Sequence, residues 1–445
     1  MPTAQPPAQA TFTGGFHAEA LSRFLQSRDE PGWLVQKRQE AFARFESGKW
    51  PTLRDEEWRR TDIRTLKLSN FAPPTHAEPS AAARAALEPV RARLAGHSGT
   101  GLVQIDGCVA QRPDGAGLPS GVVFVDFDTA AREHPELIRR YFQTQAVSVE
   151  DDAFAALHGA FFTGGAVLYV PRGVKIETPL YHLIGLTSAG SVDLSHMLIV
   201  LEEGAEAALV QETTSAGRQT PGLHVGAVEL IQAAGSRLRF VNIQNWDSHT
   251  WHFSRERALV GKDAQLQWTV GGLGARLAKV NQEVALTAAG ANAQVNGVMF
   301  TTGKQNLTYI TRQDHQAPNT TSDLLYKGAL KDSSRIVWKG MIRVEKDAQK
   351  TDAYQKNNTL LLNDTARADS IPGLEIEAND VRCTHGATAG QVDEEMVFYL
   401  QARGVPRETA VRLIIEGFFA TVYDRITLES VQETLREAVE TKLRV

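Results

Sequence analysis

The chain has 445 residues, 42% hydrophobic and 22% charged, with a net charge of −5. That length predicts two or three domains, and that composition is ordinary for a globular protein. The slightly acidic balance gives no electrostatic case for nucleic acid, and no apolar run approaches the roughly 20 residues a membrane-spanning helix needs.

Residues 1–10 are rich in Pro, Gln and Ala, without the basic and apolar regions of a signal peptide. A short disordered lead is expected there. Residues 17–94 read as helical, with Leu34, Phe42 and Phe45 at three-to-four spacing. Within them, Trp50-Pro51-Thr52-Leu53-Arg54-Asp55-Glu56-Glu57-Trp58-Arg59-Arg60-Thr61-Asp62 is a charged segment, with Trp58 as a core anchor on the plainest reading. Residues 71–79 are Pro-rich and read as a linker, and residues 80–94 as a further helix.

After Gly96 the texture changes to short apolar or alternating runs at 101–105, 122–127, 166–170, 180–186 and 197–201. This β-rich texture lasts to about residue 380. From about 190 on, no helix of 10–15 residues is interleaved, which argues against a doubly wound sheet. Residues 151–162 are an exception, with Phe154, Leu157, His158 and Phe161 on one helical face; His158 reads as a packed core residue.

A degenerate repeat runs through the β-rich region. A small turn pair precedes a strand at Gly204-Ala205, Gly235-Ser236, Asp263-Ala264, Gly290-Ala291 and Asp347-Ala348, at offsets of 31, 28, 27 and 57 residues. A period near 30 without helices suggests a solenoid, whose coils bury a continuous core between them. A sandwich or propeller competes, although a propeller needs clean repeats of about 40–50 residues. Asn242, Gln244, Asn292 and Asn296 are candidates for stacked polar ladders.

Near Gly390 helices return. Asp393-Glu394-Glu395 opens one at its positive end, and Arg403-Gly404 closes it. A second runs from Pro406 to Phe419, and 428–443 reads as a third, highly charged helix. This tail is too short for its own core and must dock on the solenoid or on a partner.

Several chemistries find no motif. There is no Gly-x4-Gly-Lys-Ser/Thr loop, no Gly-x-Ser-x-Gly elbow and no His-Glu-x-x-His helix. Gly271-Gly272-Leu273-Gly274 reads as a turn. His249 and His252 would fall on opposite faces of a strand. His315 reads as a solvated or turn-stabilising residue. Cys108 and Cys383 are too few for a disulfide framework or for an all-cysteine cluster within one chain, and with no signal peptide they point to a reducing cytoplasm.

Cys383 and His385 differ from these. In a strand they share one face, and thiolate plus imidazole suits a borderline-soft transition metal. The plainer reading is a small buried hydrophobe beside a strand-capping histidine. Around them stand Thr351-Asp352-Ala353-Tyr354-Gln355-Lys356-Asn357, Ala368-Asp369-Ser370-Ile371-Pro372-Gly373-Leu374-Glu375-Ile376 and Asp380-Val381-Arg382-Cys383-Thr384-His385-Gly386-Ala387-Thr388.

These segments resemble the C-terminal signature of the SufB/SufD family, scaffold subunits of the Suf iron–sulfur cluster assembly machine, and within it the SufD type. The resemblance is strong over about 195–425, and residues 50–62 are similar to the family's N-terminal segment. It implies a mainly β fold: a right-handed parallel β-helix over 96–385, with helical domains over 1–95 and 386–445. It also implies a SufB-like partner and a SufC-like ABC-type ATPase. His385, with Cys383 beside it, would lie at the SufB-type interface and help hold iron or a nascent cluster shared with that chain. Val397, Phe398, Leu413, Ile414 and Phe418 fall in the region that docks the ATPase, where exposed apolar positions at helical spacing suit a groove. Gly386 stands where SufB-type subunits carry glutamate, and the SufB-type internal cysteine has no counterpart, so SufD is favoured. The chain would perform no turnover of its own. A carbohydrate-active β-helix enzyme and a purely structural homodimer are the alternatives.

Overall fold

The computed structural model describes residues 15–75, 78–97, 100–115, 117–216 and 221–444, so the expected lead at 1–10 lies outside the described residues. The chain is mainly β. Two ten-stranded sheets face each other, and from Ser195–Leu201 onward successive strands alternate between them. Eight parallel strands, from Gly164–Val170 to Arg367–Ile376, build one wall and mark about eight turns of a β-solenoid. The other wall carries Glu206–Ser215, Arg237–Asn245, Gln265–Gly272, Asn292–Thr301, Thr321–Leu330, Asp352–Leu361 and Arg382–Gln391, all paired in parallel.

The repeat has a backbone cause. Gly173, Gly204, Gly235, Asp263, Gly290, Asn319 and Lys350 all have positive φ. Each amide donates to a carbonyl of the next coil, as in Gly204 N to Ala234 O at 2.9 Å and Asn319 N to Gln349 O at 2.9 Å. Glycine, and less readily Asn or Asp, tolerates this conformation. The stack corrects the repeat in two places. Asn319 fills the coil between Gly290 and the last unit, and that unit is registered on Lys350, not on Asp347. Neither carries the small-residue pair that marks the other turns.

Inside the solenoid, side chains stack in files from coil to coil. Leu209, Phe240, Trp268, Val295 and Leu324 are consecutive neighbours in register, and all are buried. Each such side chain contributes about 1.5–3 kcal/mol through burial. The expected polar ladders form only in part: Asn292 lies between Gln265 and Thr321. Asn242 lies between Gln211 and Val270, and Asn296 between Thr269 and Leu325. The 27–31-residue spacing of the turns brings unlike residues together, and Asn242 instead donates to Glu256 at 3.0 Å.

The N-terminal helices Ala18–Gln26 and Gly32–Ser47 pack on helix Ala153–Phe161, which Asp152 caps. Trp58 stacks on Phe154 at 5.4 Å, and Phe154 on Phe253 of the solenoid at 3.7 Å, so Trp58 is the anchor its sequence suggests. Two short helices, Phe127–Glu133 and Pro135–Tyr141, lie in a stretch read from sequence as strand-rich. His158 is buried as expected; His252, on a strand, is buried too, while His249 sits in the preceding turn and not on the strand. His315 is not solvated. It ends a strand inside the solenoid and meets Thr320 Oγ1 at 2.7 Å and Ser322 Oγ at 2.8 Å.

The C-terminal helices are Glu394–Ala402, Arg407–Tyr423 and Glu429–Arg444. Asp393 caps the first, and Gly404 follows it with a φ of 84°. The last two lay Ile415, Phe419, Val422, Leu435 and Val439 on Val241, Ile243, Val298 and Phe300 of the solenoid's outer face. The final strand runs on to Gln391, so the helical tail begins near residue 393 and not at 386.

Candidate functional site

Cys383 and His385 lie on Arg382–Gln391, the last strand of its sheet. Its inner neighbour is Asp352–Leu361, which sets Cys383 beside Ala353 and His385 beside Gln355. Its outer edge has no strand partner among the described residues, and neither has that of Arg367–Ile376, the end of the other sheet. Two edge strands of ten residues therefore close the solenoid with unpaired backbone groups. Leu374 and Ile376 on this end are 38% and 40% exposed.

The two ligand-type residues differ in setting. His385 is exposed. Cys383 is half-buried against a small cluster of Ile342, Val344, Ala348, Ala353 and Ala378. Burial pushes its thiol above the ordinary value, with a backbone contact from Ala353 acting the other way. The last strand thus offers one open imidazole and one partly shielded thiol on one face. Among the described residues, no group of three or more His, Cys, Asp or Glu is disposed to hold a metal ion. Two donors by themselves do not fit a whole cluster. Cys108 is far less accessible, and burial pushes its thiol up to about 12.

The helical residues singled out from sequence separate as well. Phe398 is 72% exposed and Leu413 43%, and Ile414 and Phe418 are half-buried. Val397 is fully buried and presents nothing to a partner, which corrects its place in the expected set. Met396 and Tyr399, which the expected contact set does not include, are exposed and flank Phe398. Helix Glu394–Ala402 packs on Arg407–Tyr423. The signal was available, since Met396 and Tyr399 stand three apart on one face.

A second group of ligand-type side chains lies near the other end, sealed inside. His224 Nδ1 is 2.9 Å from His252 Nδ1, which also accepts from Trp246 Nε1 at 3.1 Å. Asp193 Oδ1 is 3.6 Å from His224 Nε2. Burial holds His252 down to about 3 and raises Asp193 to about 6. Register alone brings these residues together, because His224 and His252 are neighbours on adjacent strands.

The geometry defines a class: a β-solenoid left open at one end, with a thiol and an imidazole on its last coil. Residues 184–418 match the family model for the SUF system FeS cluster assembly SufBD core domain, and residues 22–181 match the SufBD protein N-terminal region. The chain is 30% identical over 431 residues to the iron–sulfur cluster assembly protein SufD of Bacillus subtilis (strain 168), covering 96% of this chain and 98% of that protein. It is also 30% identical over 316 residues to an iron–sulfur cluster assembly SufBD family protein of Staphylococcus epidermidis (strain ATCC 12228), covering 71% of this chain and 68% of that one. The chain belongs to the SufBD family. The two family models meet near residue 182, whereas the change of texture in the sequence falls near 96.

Proposed function

We propose that this chain is a SufD-type scaffold subunit of an iron–sulfur cluster assembly complex, acting without turnover of its own. The end-to-end similarity to the Bacillus subtilis SufD protein carries this reading. The open end is the surface for a SufB-like subunit, whose strands continue both sheets. His385, with Cys383 beside it, contributes to a shared site where iron or a nascent cluster is cargo. The exposed face of Met396, Phe398, Tyr399 and Leu413 receives a SufC-like ATPase. The complex works in the cytoplasm; no helix among the described residues is long and apolar enough to cross a membrane.

The test is co-expression of the tagged chain with SufB-like and SufC-like partners, followed by anaerobic reconstitution, with wild type beside His385→Ala. The expected result is a stable complex in both cases and cluster absorbance in wild type alone. Equal absorbance would remove His385 from the site. Failure to bind either partner would remove the scaffold reading.

A further inference from the structure

We propose that Gln355 is a positioning residue for His385, accepting a hydrogen bond from its imidazole and so fixing which ring nitrogen is left to bind cargo. This rests on His385 being a ligand.

The inference comes from an exception to the packing rule. Gln355 and His385 continue the file of Leu209, Phe240, Trp268, Val295 and Leu324. Five apolar side chains are followed by an amide on the coil directly beneath the histidine. Gln355 is completely buried. Its Nε2 donates to Gly373 O at 2.9 Å, and that bond sets which end of the amide is nitrogen. Its Oε1 has no hydrogen-bond partner. A buried acceptor left unpaired is costly, and native structures seldom retain one without use.

The seat of that oxygen is built. A Cβ at Gly340 would lie 2.4 Å from Gln355 Oε1 and 2.2 Å from the Trp338 ring, so only glycine leaves room. His385 is the in-register neighbour of Gln355, about 4.8 Å away along the sheet and on the same face. Ligating histidines commonly give their second ring N–H to a fixed acceptor, which sets tautomer and ring orientation. Gln355 Oε1 is an unused acceptor in the right file. Trp338 Nε1, also buried and unpartnered, is the rival claimant, through a bridging water. A carbonyl oxygen accepts two bonds, so the two uses are compatible.

The test reads the tautomer of His385 in the isolated full chain. With ¹⁵N-labelled histidine, long-range ¹H–¹⁵N correlation spectra identify His385 by its loss in His385→Ala. The expected wild-type signal is a single dominant tautomer. In Gln355→Met, similar in shape but without the acceptor, it relaxes to the mixture of an unconstrained ring. Gln355→Glu, which keeps an acceptor, holds one tautomer. A mixture already present in wild type overturns the proposal without any variant having to fold. An unchanged signal in Gln355→Met also overturns it. In the reconstituted complex, Gln355→Met should weaken iron loading about tenfold. The spectra are independent of cargo, whereas the ligand reading of His385 fails only if His385→Ala loads normally. The two failures are therefore distinguishable.

Discussion

Lys327 donates from Nζ to the carbonyl oxygen of Phe418 and sits 4.5 Å from the centroid of the same residue's ring. One solenoid side chain thereby grips helix Arg407–Tyr423 through both its backbone and its aromatic face. Arg425, just beyond the helix, pairs with Asp323 at 3.0 Å. The tail is held by a few polar contacts at the margin of an apolar seam. The exposed helix Glu394–Ala402 rides on Arg407–Tyr423.

Lys327→Met should loosen that grip without unfolding the solenoid. A hydrogen bond from a charged donor contributes about 1.5–3 kcal/mol and a partly desolvated cation–π contact about 1 kcal/mol more. Amide hydrogen exchange across 407–423 should rise, with the strands unchanged. Equal protection in both proteins would show that the apolar seam alone holds the helix.

His385→Ala should lower stability only modestly. The side chain is exposed, so little packing is lost, and the hydrogen bond proposed to Gln355 is the main loss, about 1–3 kcal/mol. A loss well above about 3 kcal/mol in urea denaturation would give this histidine a wider structural role.

The N-terminal helices depend on a buried ion pair. Arg38 is fully buried, donates to Glu30 at 2.7 Å and to Ala160 O at 3.3 Å, and stacks 3.5 Å from the Phe162 ring centroid. Burial brings its guanidinium down to about 10, although Glu30 opposes this. Glu30→Gln leaves that charge in the interior without its counter-ion and should cost about 3–5 kcal/mol. Urea denaturation measures it; a loss below 1 kcal/mol would mean that water reaches the guanidinium.

Acid should destabilise the solenoid through its interior histidines. Burial lowers His182 and His252 to about 3 and His315 to about 4. The unfolded chain binds protons that the native chain refuses, so stability falls as pH drops from about 6.5 toward those values, by roughly 1.4 kcal/mol per pH unit per group. Glu256 and Asp193 act with the opposite sign. Burial raises them to about 7 and about 6, so the native chain holds their protons longer and stability falls as pH rises through about 4–7. Between about pH 4.5 and 6 the two carboxylates offset only part of the histidine slope. Below about pH 4 the histidines act alone. Thermal midpoints should fall gently with decreasing pH in the first window and more steeply below it, and Glu256→Gln should stabilise at pH 8 more than at pH 5. A midpoint unchanged down to pH 3 would contradict the buried-histidine account.

Lys at the open end should block association. Ile376→Lys and Leu374→Lys place charge on exposed edge-strand residues, a common means of preventing strand-to-strand pairing. Binding to a SufB-like partner should weaken at least tenfold in pull-down titrations, with the circular dichroism spectrum unchanged. Undiminished binding would move the interface elsewhere.

The sequence by itself determined the solenoid and put two ligand-type side chains on one face of its last strand. Strand alternation and the turns at Gly204, Gly235, Asp263 and Gly290 are local, because each is a backbone conformation that one or two residues impose. Cys383 and His385 share a face for the same local reason, the two-residue period of a strand. The cap at Asp393 and the stop at Gly404 were equally legible. Only the tertiary structure decided which coils meet. Gln355 lies under His385, and His224 beside His252, because backbone hydrogen bonds between strands about 30 residues apart fix the register, and spacing that drifts between 27 and 31 conceals it. It also decided exposure. Val397 and Phe398 are adjacent apolar residues in one helix, yet one is sealed and the other open, since burial depends on the surface each residue faces and not on its own hydrophobicity.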